Sequence, residues 1–393
     1  MKKKLLFVID SLSSGGGEKS LVTLLSLIDY TKYDVDLQLF NKSGIFLDLV
    51  PKNVTILEEL DYFNSCATPI TQQLSHPLNL YSRLLYSLKL RVNPQSTHPD
   101  KARMLWQSIS NRIPLSNKKY DVAIAYAQGL PTFYVADKIK AKRKIAWVNS
   151  SLLINGKTLR YNQRYYSKYD AIVPVSDSAK EILEDRFPLL KNSLYIIKDI
   201  LDEDFIKLMA EKGNSSEIKN TLPILLTVAR LNNRHKGYDI TLETCKILRD
   251  RGVEFRWYAI GEGGFRSEIE KYIAENGLQD RFILLGTKAN PYPYFKACDI
   301  YVQTSRHEGF GLSIAEARIL NKPVVTTEFD AVWNQMVQGK NGIVVPIDAT
   351  AVADAVQDLI EHPEKREEIS AYQRTEKKGN LEELQKIYDL IEK

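Results

Sequence analysis

Short apolar runs alternate with segments of helical period along nearly the whole chain. In the first half, the predicted strands are Leu5–Ile9, Val35–Phe40, Val122–Ala127, Ile145–Val148, Ala171–Val175 and Tyr195–Ile197. In the second half, they are Ile224–Ala229, Phe255–Ile260, Phe282–Leu285, Ile300–Gln303, Val324–Thr327 and Ile343–Val345. Continuous apolar strands separated by amphipathic helices are typical of a parallel sheet covered on both faces. The pattern therefore predicts an α/β protein with two doubly wound lobes that face each other across a cleft.

Breaks in this pattern predict the domain boundaries. The 393 residues are enough for two domains. Asp202–Leu222 contains a polar patch and is the predicted hinge, and Leu381–Ile391 has the spacing of a closing helix. We expect an N-terminal lobe over residues 1–200, a C-terminal lobe over 201–378, and a final segment, 379–393, that packs back on the N-terminal lobe.

Residues 68–119 do not fit the alternation and form the predicted insertion of the N-terminal lobe. Within them, Tyr81–Arg91 is apolar, aromatic and basic at once. Two interpretations stay open for it: an amphipathic helix in an anionic membrane interface, or a surface helix whose apolar stripe packs on the core.

Charge is divided unevenly between the halves. Residues 1–200 contain 28 Lys and Arg against 18 Asp and Glu, whereas residues 201–393 contain 26 against 31. A basic half followed by an acidic half indicates two lobes with different partners. The basic half suits a peripheral membrane contact. Nucleic acid is not an expected partner, because no motif for reading it accompanies the charge.

Composition excludes several classes of protein. A hydrophobic content of 44% and a charged content of 26% exclude a disordered chain. Three widely spaced cysteines (Cys66, Cys245 and Cys298) indicate a reduced, cytoplasmic setting. No apolar run reaches membrane-spanning length, and Leu5–Ile9 is too short for the core of a signal peptide.

The strongest motif is Ser305–Ala317, which follows the predicted strand Ile300–Gln303 and opens a helix. Backbone amides at a helix N-terminus bind anions. Glu308 and Glu316 flank this turn eight positions apart, which suits a diphosphate that carries hydroxyl groups on both sides. For Glu316 the alternative is a solvated helix face. The amides in question are those of Phe310, Gly311 and Leu312.

Three weaker motifs accompany it in a fixed order: Ser14–Glu18 after the first strand, Val228–Leu231 with Lys236-Gly237, and Gly261–Gly263. Together with Glu308-x7-Glu316, they resemble the retaining glycosyltransferases of the GT-B fold, specifically family four (glycosyl transferases group 1). The resemblance covers nearly the whole chain. It implies two Rossmann-like lobes, with the nucleotide-sugar donor in the C-terminal lobe and the acceptor in the N-terminal lobe.

The resemblance also implies a role for each matching residue. Arg230 and Lys236 hold the two phosphates in place of a metal, because negative charge grows there during transfer. Glu308 orients the sugar hydroxyls, and Glu316 binds the ribose. The remaining donor-binding candidates are Gly16, Gly17, Gly261, Thr287 and Lys288.

Each of these roles has a simpler alternative. Arg230 and Lys236 are ordinary surface cations if they are considered outside the motif. The glycine loop matches neither a P-loop nor a GxGxxG pattern, and it is otherwise a plain strand-to-helix turn. Beyond the predicted base site, Tyr292 and Tyr294 fit packing better than stacking on a nucleobase.

One position departs from the family. A Trp-x-His element is usual after a strand of the N-terminal lobe, but here Asn149 stands in place of the histidine. An asparagine exchanges hydrogen bonds but cannot take up charge. Asn149 therefore serves if the role is orientation, and it weakens catalysis if the role is electrostatic.

No metal or other cofactor is expected. Asp34-Val35-Asp36 has the form of a metal-binding Asp-x-Asp, but it lies at the start of a strand, away from the end where ligands bind. The five histidines lack the spacing of metal ligands: His76, His98, His235, His307 and His362.

The resulting prediction is a metal-independent retaining hexosyltransferase. It moves a sugar from a nucleotide sugar, expected to be a UDP-sugar, to a glycan or lipid-linked acceptor in cell-surface polysaccharide or glycolipid synthesis, at the inner face of the membrane. Two alternatives stay open: a UDP-sugar epimerase of the same fold, and a non-catalytic partner subunit.

Overall fold

The computed structural model describes residues 2–60, 62–63, 77–149, 154, 156–219 and 221–393. Cys66 and residues 68–76 of the predicted insertion, which include His76, lie outside the described residues. The chain divides into two compact units, Met1–Lys198 with Leu384–Lys393, and Asp199–Glu383. The first division thus comes two residues before the expected boundary at 200, and the chain returns to the first unit at 384 rather than 379.

The first unit is built on a six-stranded parallel sheet with the order β3-β2-β1-β4-β5-β6. Its central strand β1 pairs on both sides, so that Leu5 lies opposite Val35 on β2 and Val122 on β4. The strands are β1 (Lys3–Ile9), β2 (Tyr33–Leu39), β3 (Val54–Ile56), β4 (Lys119–Ala125), β5 (Lys140–Val148) and β6 (Ala171–Pro174). The helices are α1 (Gly16–Leu27), α2 (Pro77–Val92), α3 (His98–Ile109), α4 (Leu130–Lys138), α5 (Gly156–Tyr166) and α6 (Asp177–Arg186).

One predicted strand of this unit is wrong. Tyr195–Ile197 is not a strand, although the Tyr195 amide donates to the Ile172 carbonyl at 2.9 Å. A parallel ladder would return a bond from residue 174 to the Tyr195 carbonyl, and Pro174 has no N–H to donate. The sixth strand is instead Val54–Ile56, whose three residues are too few to show a hydrophobic period.

The second unit repeats the architecture with the strand order β12-β11-β10-β7-β8-β9, again fully parallel. Its strands are β7 (Ile224–Val228), β8 (Arg256–Ile260), β9 (Phe282–Leu284), β10 (Ile300–Gln303), β11 (Val324–Thr327) and β12 (Ile343–Val345). Its helices are α7 (Glu203–Lys212), α8 (Asn233–Lys236), α9 (Tyr238–Asp250), α10 (Arg266–Glu275), α11 (Tyr292–Ala297), α12 (Leu312–Ile319), α13 (Ala349–Glu361) and α14 (Pro363–Thr375). The predicted doubly wound α/β fold is confirmed, because in both units helices separate parallel strands with buried side chains.

The predicted hinge segment is part of the second unit. Asp202 caps helix α7 by accepting a hydrogen bond from the Phe205 amide at 2.9 Å. The division between the units comes earlier, between Lys198 and Asp199. The polar residues of the predicted hinge thus form the N-cap of α7 and the turn after its last residue. Caps and turns use the same residue types as a linker, which explains why the sequence pattern indicated a hinge.

The last helix, α15 (Glu383–Glu392), returns to the first unit. The Tyr388 ring stacks on Tyr33 with centroids 5.5 Å apart, and the Lys3 ammonium lies 2.7 Å from the Glu392 carboxylate. Buried Leu390 and Ile391 add apolar area to this contact. Within the described ranges, no helix combines the length and apolar character that a bilayer-spanning segment requires.

Candidate functional site

At the carboxyl end of β10, Glu308 and Lys236 form a partly buried ion pair. The Oε1 atom of Glu308 accepts from the Lys236 Nζ at 2.5 Å, the Gln303 Nε2 at 2.7 Å and the Ser305 Oγ at 2.7 Å. No hydrogen bond from another described residue reaches its Oε2. The site therefore brings two of the predicted catalytic residues together and leaves one carboxylate oxygen available to a hydroxyl donor.

The two segments that carry this pair are held together by backbone and side-chain contacts. Gly237 has a left-handed backbone (φ 65°), and a Cβ there would lie 2.1 Å from the Thr304 carbonyl oxygen. The Thr304 hydroxyl donates to the Gly237 carbonyl at 2.9 Å. Arg306 adds a two-pronged ion pair to Asp239 at 2.7 and 2.8 Å. Glycine at position 237 is thus needed for the close approach that puts Lys236 beside Glu308.

A buried chain of polar groups supports the pair from below. The fully buried Tyr301 hydroxyl donates to the Gln303 Oε1 at 2.6 Å, which leaves the Gln303 amide nitrogen to donate to Glu308. Burial raises the pKa of Tyr301 well above its ordinary value, so its hydroxyl keeps its proton. This chain fixes which way the Gln303 amide points and, through it, the orientation of Glu308.

The backbone amides of the glycine turn before helix α12 point away from the side chain of Gln335. The Gln335 Nε2 donates to the carbonyl oxygens of Phe310 and Gly311, at 2.6 and 3.2 Å. In a planar trans peptide, the N–H lies opposite the C=O, so the amides of Gly311 and Leu312 are aimed to the other side. Within the described part of the chain, nothing accepts a hydrogen bond from these amides or that of Phe310. Together with the N-terminus of α12, they form a cradle for an anion.

Gln335 was missed by the sequence reasoning. It lies 24 residues beyond Gly311, between the short turn Val332–Asn334 and Met336, where no motif or hydrophobic period marks it. Gly311 shows its proximity, because a Cβ built there would lie 2.9 Å from the Gln335 Nε2. Only the folded loop could have revealed this residue.

Glu316 lies one helical turn after Leu312 and is 3% exposed, which excludes the solvated-face alternative. The Tyr292 hydroxyl donates to its Oε1 at 3.3 Å. Tyr292 and Tyr294 are themselves 5% and 4% exposed, which agrees with packing rather than stacking on a base. A buried carboxylate beside the anion cradle is suited to bind hydroxyl groups.

The other donor-site candidates of this unit lie at neighbouring strand ends. Lys288 is paired with Glu217 at 2.8 Å, and partly buried Thr287 precedes it after β9. Gly261 has a structural explanation, because a Cβ there would lie 2.0 Å from the Ala229 carbonyl oxygen. Arg230 is exposed, and no other described residue forms an ion pair or hydrogen bond with its guanidinium.

In the first unit, the predicted glycine loop and Asn149 are neighbours. Gly16 and Gly17 open α1, whose N-cap Gly15 provides no side-chain cap. The Asn149 Nδ2 donates to the Tyr126 carbonyl at 2.6 Å and would lie 2.8 Å from a Cβ at Gly17. Its Oδ1 is buried, and no described group donates to it. The loop thus presents uncapped amides next to an acceptor that still lacks a hydrogen bond.

Asp10 is a titratable group beside this loop that the sequence reasoning did not single out. The residue keeps exposed surface, yet the protein packed around its carboxyl group reduces the hydration of the charge. This desolvation, with a smaller contribution from the Glu18 carboxylate, raises the pKa of Asp10 to about 7.

The Asp-x-Asp string has a structural role. The Asp36 carboxylate, at the middle of β2, accepts from the Tyr120 hydroxyl at 2.7 Å and the Lys118 ammonium at 2.9 Å. Among the residues that the structure describes, no group of three or more His, Cys, Asp or Glu is arranged to hold a metal ion.

Part of this chain is similar to known glycosyltransferases. Residues 209–376 match the profile of the family described as Glycosyl transferases group 1. A glycosyltransferase of Methanocaldococcus jannaschii is 24% identical over 47% of this chain and 48% of its own length. The chain thus spans about half the length of this relative.

One sequence relative and one solved structure are similar to this chain over most of its length. The N-acetylgalactosamine-N,N'-diacetylbacillosaminyl-diphospho-undecaprenol 4-alpha-N-acetylgalactosaminyltransferase of Campylobacter jejuni is 24% identical over 83% of this chain and 81% of its own. The structure of Anabaena HepE in complex with UDP and glucose is similar with a TM-score of 0.73 and 17% identity, over 99% of both chains. This structural likeness confirms the predicted GT-B fold.

The predicted resemblance is confirmed at the level of the group, and the narrower family-four assignment stays a prediction. The cluster around Glu308 and the cradle held by Gln335 both lie inside the matched residues. Residues 209–376 of this chain, the part that carries both features, thus resemble the glycosyl transferases group 1 family.

Proposed function

We propose that this protein is a retaining glycosyltransferase that moves a hexose from a UDP-sugar to a glycan or lipid-linked acceptor. The observation that carries the proposal is the cluster in the second unit. There, Glu308 pairs with Lys236, and the backbone amides two to four positions after Glu308 form an anion cradle whose N–H groups donate to no other described residue. A nucleotide sugar needs both parts at once, amides and cations for the diphosphate and a carboxylate for the sugar hydroxyls.

The diphosphate would be held by the cradle and two cations. The amides of Gly311 and Leu312 bind phosphate oxygens, and exposed Arg230 adds a guanidinium that other described residues leave uncommitted. The ammonium of Lys236 has three donors, so it can hold Glu308 and a phosphate oxygen together. These cations take the role that a metal ion has in other sugar transferases, and their fixed positions lower the barrier as negative charge grows on the departing diphosphate.

Glu308 would bind hydroxyls of the donor sugar through its Oε2 rather than attack the anomeric carbon. Its other oxygen already accepts three hydrogen bonds, one of them from an ammonium, which makes the carboxylate a weaker nucleophile. This supports same-face attack by the acceptor within a tight ion pair, and the departing phosphate takes the acceptor proton. The sugar would then keep its anomeric configuration.

The remaining assignments follow from position. Glu316 would bind the ribose hydroxyls, and Thr287 with Lys288 would line the base. In the first unit, Gly16 and Gly17 would present amides to the ligand, and the unpaired Oδ1 of Asn149 would accept a hydroxyl hydrogen bond. That assignment gives Asn149 an orienting role, in which the missing charge of a histidine is not needed.

The donor and acceptor classes rest on the relatives. HepE is a structure with UDP and glucose, and the Campylobacter relative is named for a diphospho-undecaprenol acceptor. A lipid-linked acceptor would require the basic first unit to work at a membrane surface.

Thermal stabilisation by a series of nucleotide sugars tests the donor, because a ligand that binds the folded state raises the melting temperature. UDP release with and without an extract of lipid-linked saccharides then tests transfer, and NMR of the anomeric proton in the product tests retention. A new sugar isomer without any acceptor would favour the epimerase alternative. Binding of UDP with no turnover would favour a non-catalytic subunit.

A further inference from the structure

Helix α2 carries a stripe of apolar side chains on its outer surface. The spacing of three or four residues places them on one face of the helix. Each is far more exposed than a core residue, at 57%, 60%, 57%, 47% and 78% for Leu78, Tyr81, Leu84, Leu88 and Val92. The packed-stripe interpretation does not apply to these five side chains, which do not face the core. We refer to these five residues as the outer stripe.

The inner face of the same helix carries polar groups beside the partly buried Leu85 and Tyr86. Ser82 is 1% exposed, and the Lys89 Nζ donates to the Ser108 Oγ on helix α3 at 3.0 Å. Burial lowers the pKa of Lys89, with a further contribution from nearby Arg103. A surface helix of a globular protein normally keeps its apolar residues inward and its polar residues outward. Helix α2 thus places five of its apolar residues outward, where they contact water.

The charges of this region are almost all positive. Helix α2 contains Arg83, Lys89 and Arg91 and no acidic residue, and residues 68–119 contain eight Lys or Arg against the single acid Asp100. Apolar side chains flanked by cations are suited to an anionic lipid surface, where the apolar groups enter the acyl boundary and the cations stay among the headgroups.

From these observations we infer that the outer stripe docks the protein onto an anionic lipid bilayer, with α2 lying in the interface plane. The 16 residues of α2 are fewer than the about 20 that span a bilayer, which suits a helix that lies flat. A second copy of the chain is a poorer occupant, because a symmetric pairing would bring together two helices that carry Arg83, Lys89 and Arg91 and no acidic residue. The inference rests on the proposed function only for its purpose, access to a lipid-linked acceptor.

Co-sedimentation of the full chain with vesicles tests the inference. One set of vesicles contains phosphatidylcholine and phosphatidylglycerol, and the other contains phosphatidylcholine alone. The stripe variant is Leu84→Glu with Leu88→Glu, and the charge variant is Arg91→Gln. The matched control is Leu189→Glu, which alters an 83% exposed leucine of the same unit outside α2. UDP affinity and the melting temperature are measured for every variant.

The wild type should bind the anionic vesicles more tightly than the neutral ones, and salt should weaken that binding. The stripe variant should lose about tenfold or more of the affinity, and the charge variant severalfold, whereas Leu189→Glu should bind like the wild type. UDP affinity should not change in any of them, which separates this test from one of the proposed function.

Two results would overturn the inference. One is equal binding of the wild type and the folded stripe variant to anionic vesicles, or no binding by the wild type. The other is a dimer in the wild type that becomes a monomer in the stripe variant, which would identify a second copy as the occupant.

Discussion

Replacing Gly311 by alanine should damage the anion cradle in a way that can be measured. Gly311 has φ 85° and ψ 49°, a left-handed conformation that costs a residue with a Cβ about 1–2 kcal/mol. The new Cβ would lie 2.9 Å from the Gln335 Nε2 and 3.3 Å from the Phe329 ring. The flexible amide can move away, but it then loses its bonds to the carbonyls of Phe310 and Gly311, each worth about 0.5–1 kcal/mol. The total loss of unfolding free energy should be about 2–4 kcal/mol.

A matched control separates backbone strain from loss of the Gln335 contacts. Gly339 also has a left-handed backbone (φ 71°), but a Cβ there meets no atom within 4 Å. Gly339→Ala should therefore lose only the about 1–2 kcal/mol of backbone strain. The difference between the two variants in urea unfolding, about 1–2 kcal/mol, measures the contribution of the Gln335 hydrogen bonds.

The functional consequence is tested by calorimetric titration with UDP. With Gln335 displaced, the amides of Gly311 and Leu312 are no longer fixed, and the loss of one charge-assisted hydrogen bond weakens binding about tenfold or more. Gly339→Ala should bind UDP like the wild type. If Gly311→Ala matches Gly339→Ala in both unfolding free energy and UDP affinity, then Gln335 does not position the cradle and our account of it is wrong.

Three further outcomes are expected. Lys236→Ala should lower kcat about 100-fold or more while lowering stability by only about 1 kcal/mol, measured against Lys296→Ala, which removes an exposed ion pair; a parallel loss of both quantities would make Lys236 purely structural. Glu316→Gln should weaken UDP binding in calorimetry and leave dTDP, which lacks the ribose 2′-hydroxyl, much less affected, and an equal loss for both nucleotides would contradict the ribose assignment. Because the folded pKa of Asp10 is raised from 3.8 to about 7, the folded chain binds an extra proton between these values, and stability falls as pH rises through that range. Asp10→Asn should remove this fall. The unfolding free energy of the variant relative to the wild type, measured with urea, should therefore be more favourable at about pH 8 than at about pH 5, and the same difference at both pH values would refute the prediction.

Local pattern was sufficient for the framework of both units. Strands such as Ile300–Gln303 and Val324–Thr327 were predicted residue for residue, because buried parallel strands are continuous apolar runs that need no distant information. The glycine turn before Leu312 was predictable for the same reason, since a strand, a turn and a helix follow one another along the chain.

Long-range contacts decided the rest. Lys236 and Glu308 are 72 residues apart and meet only because β7 and β10 are adjacent in the sheet. Gln335 joins the glycine turn through a loop with no sequence pattern of its own. Tyr195–Ile197 failed as a strand because of its would-be partner, Pro174, which no property of the segment itself reveals.

The orientation of helix α2 belongs to the same category. Its sequence establishes that apolar and basic residues alternate at helical spacing, and that information fits a buried stripe and an exposed one equally well. Helix α3 contacts the face that carries Ser82 and Lys89, and the outer stripe is left exposed. Period alone identifies which residues share a face, whereas the direction of that face depends on what the rest of the chain packs against it.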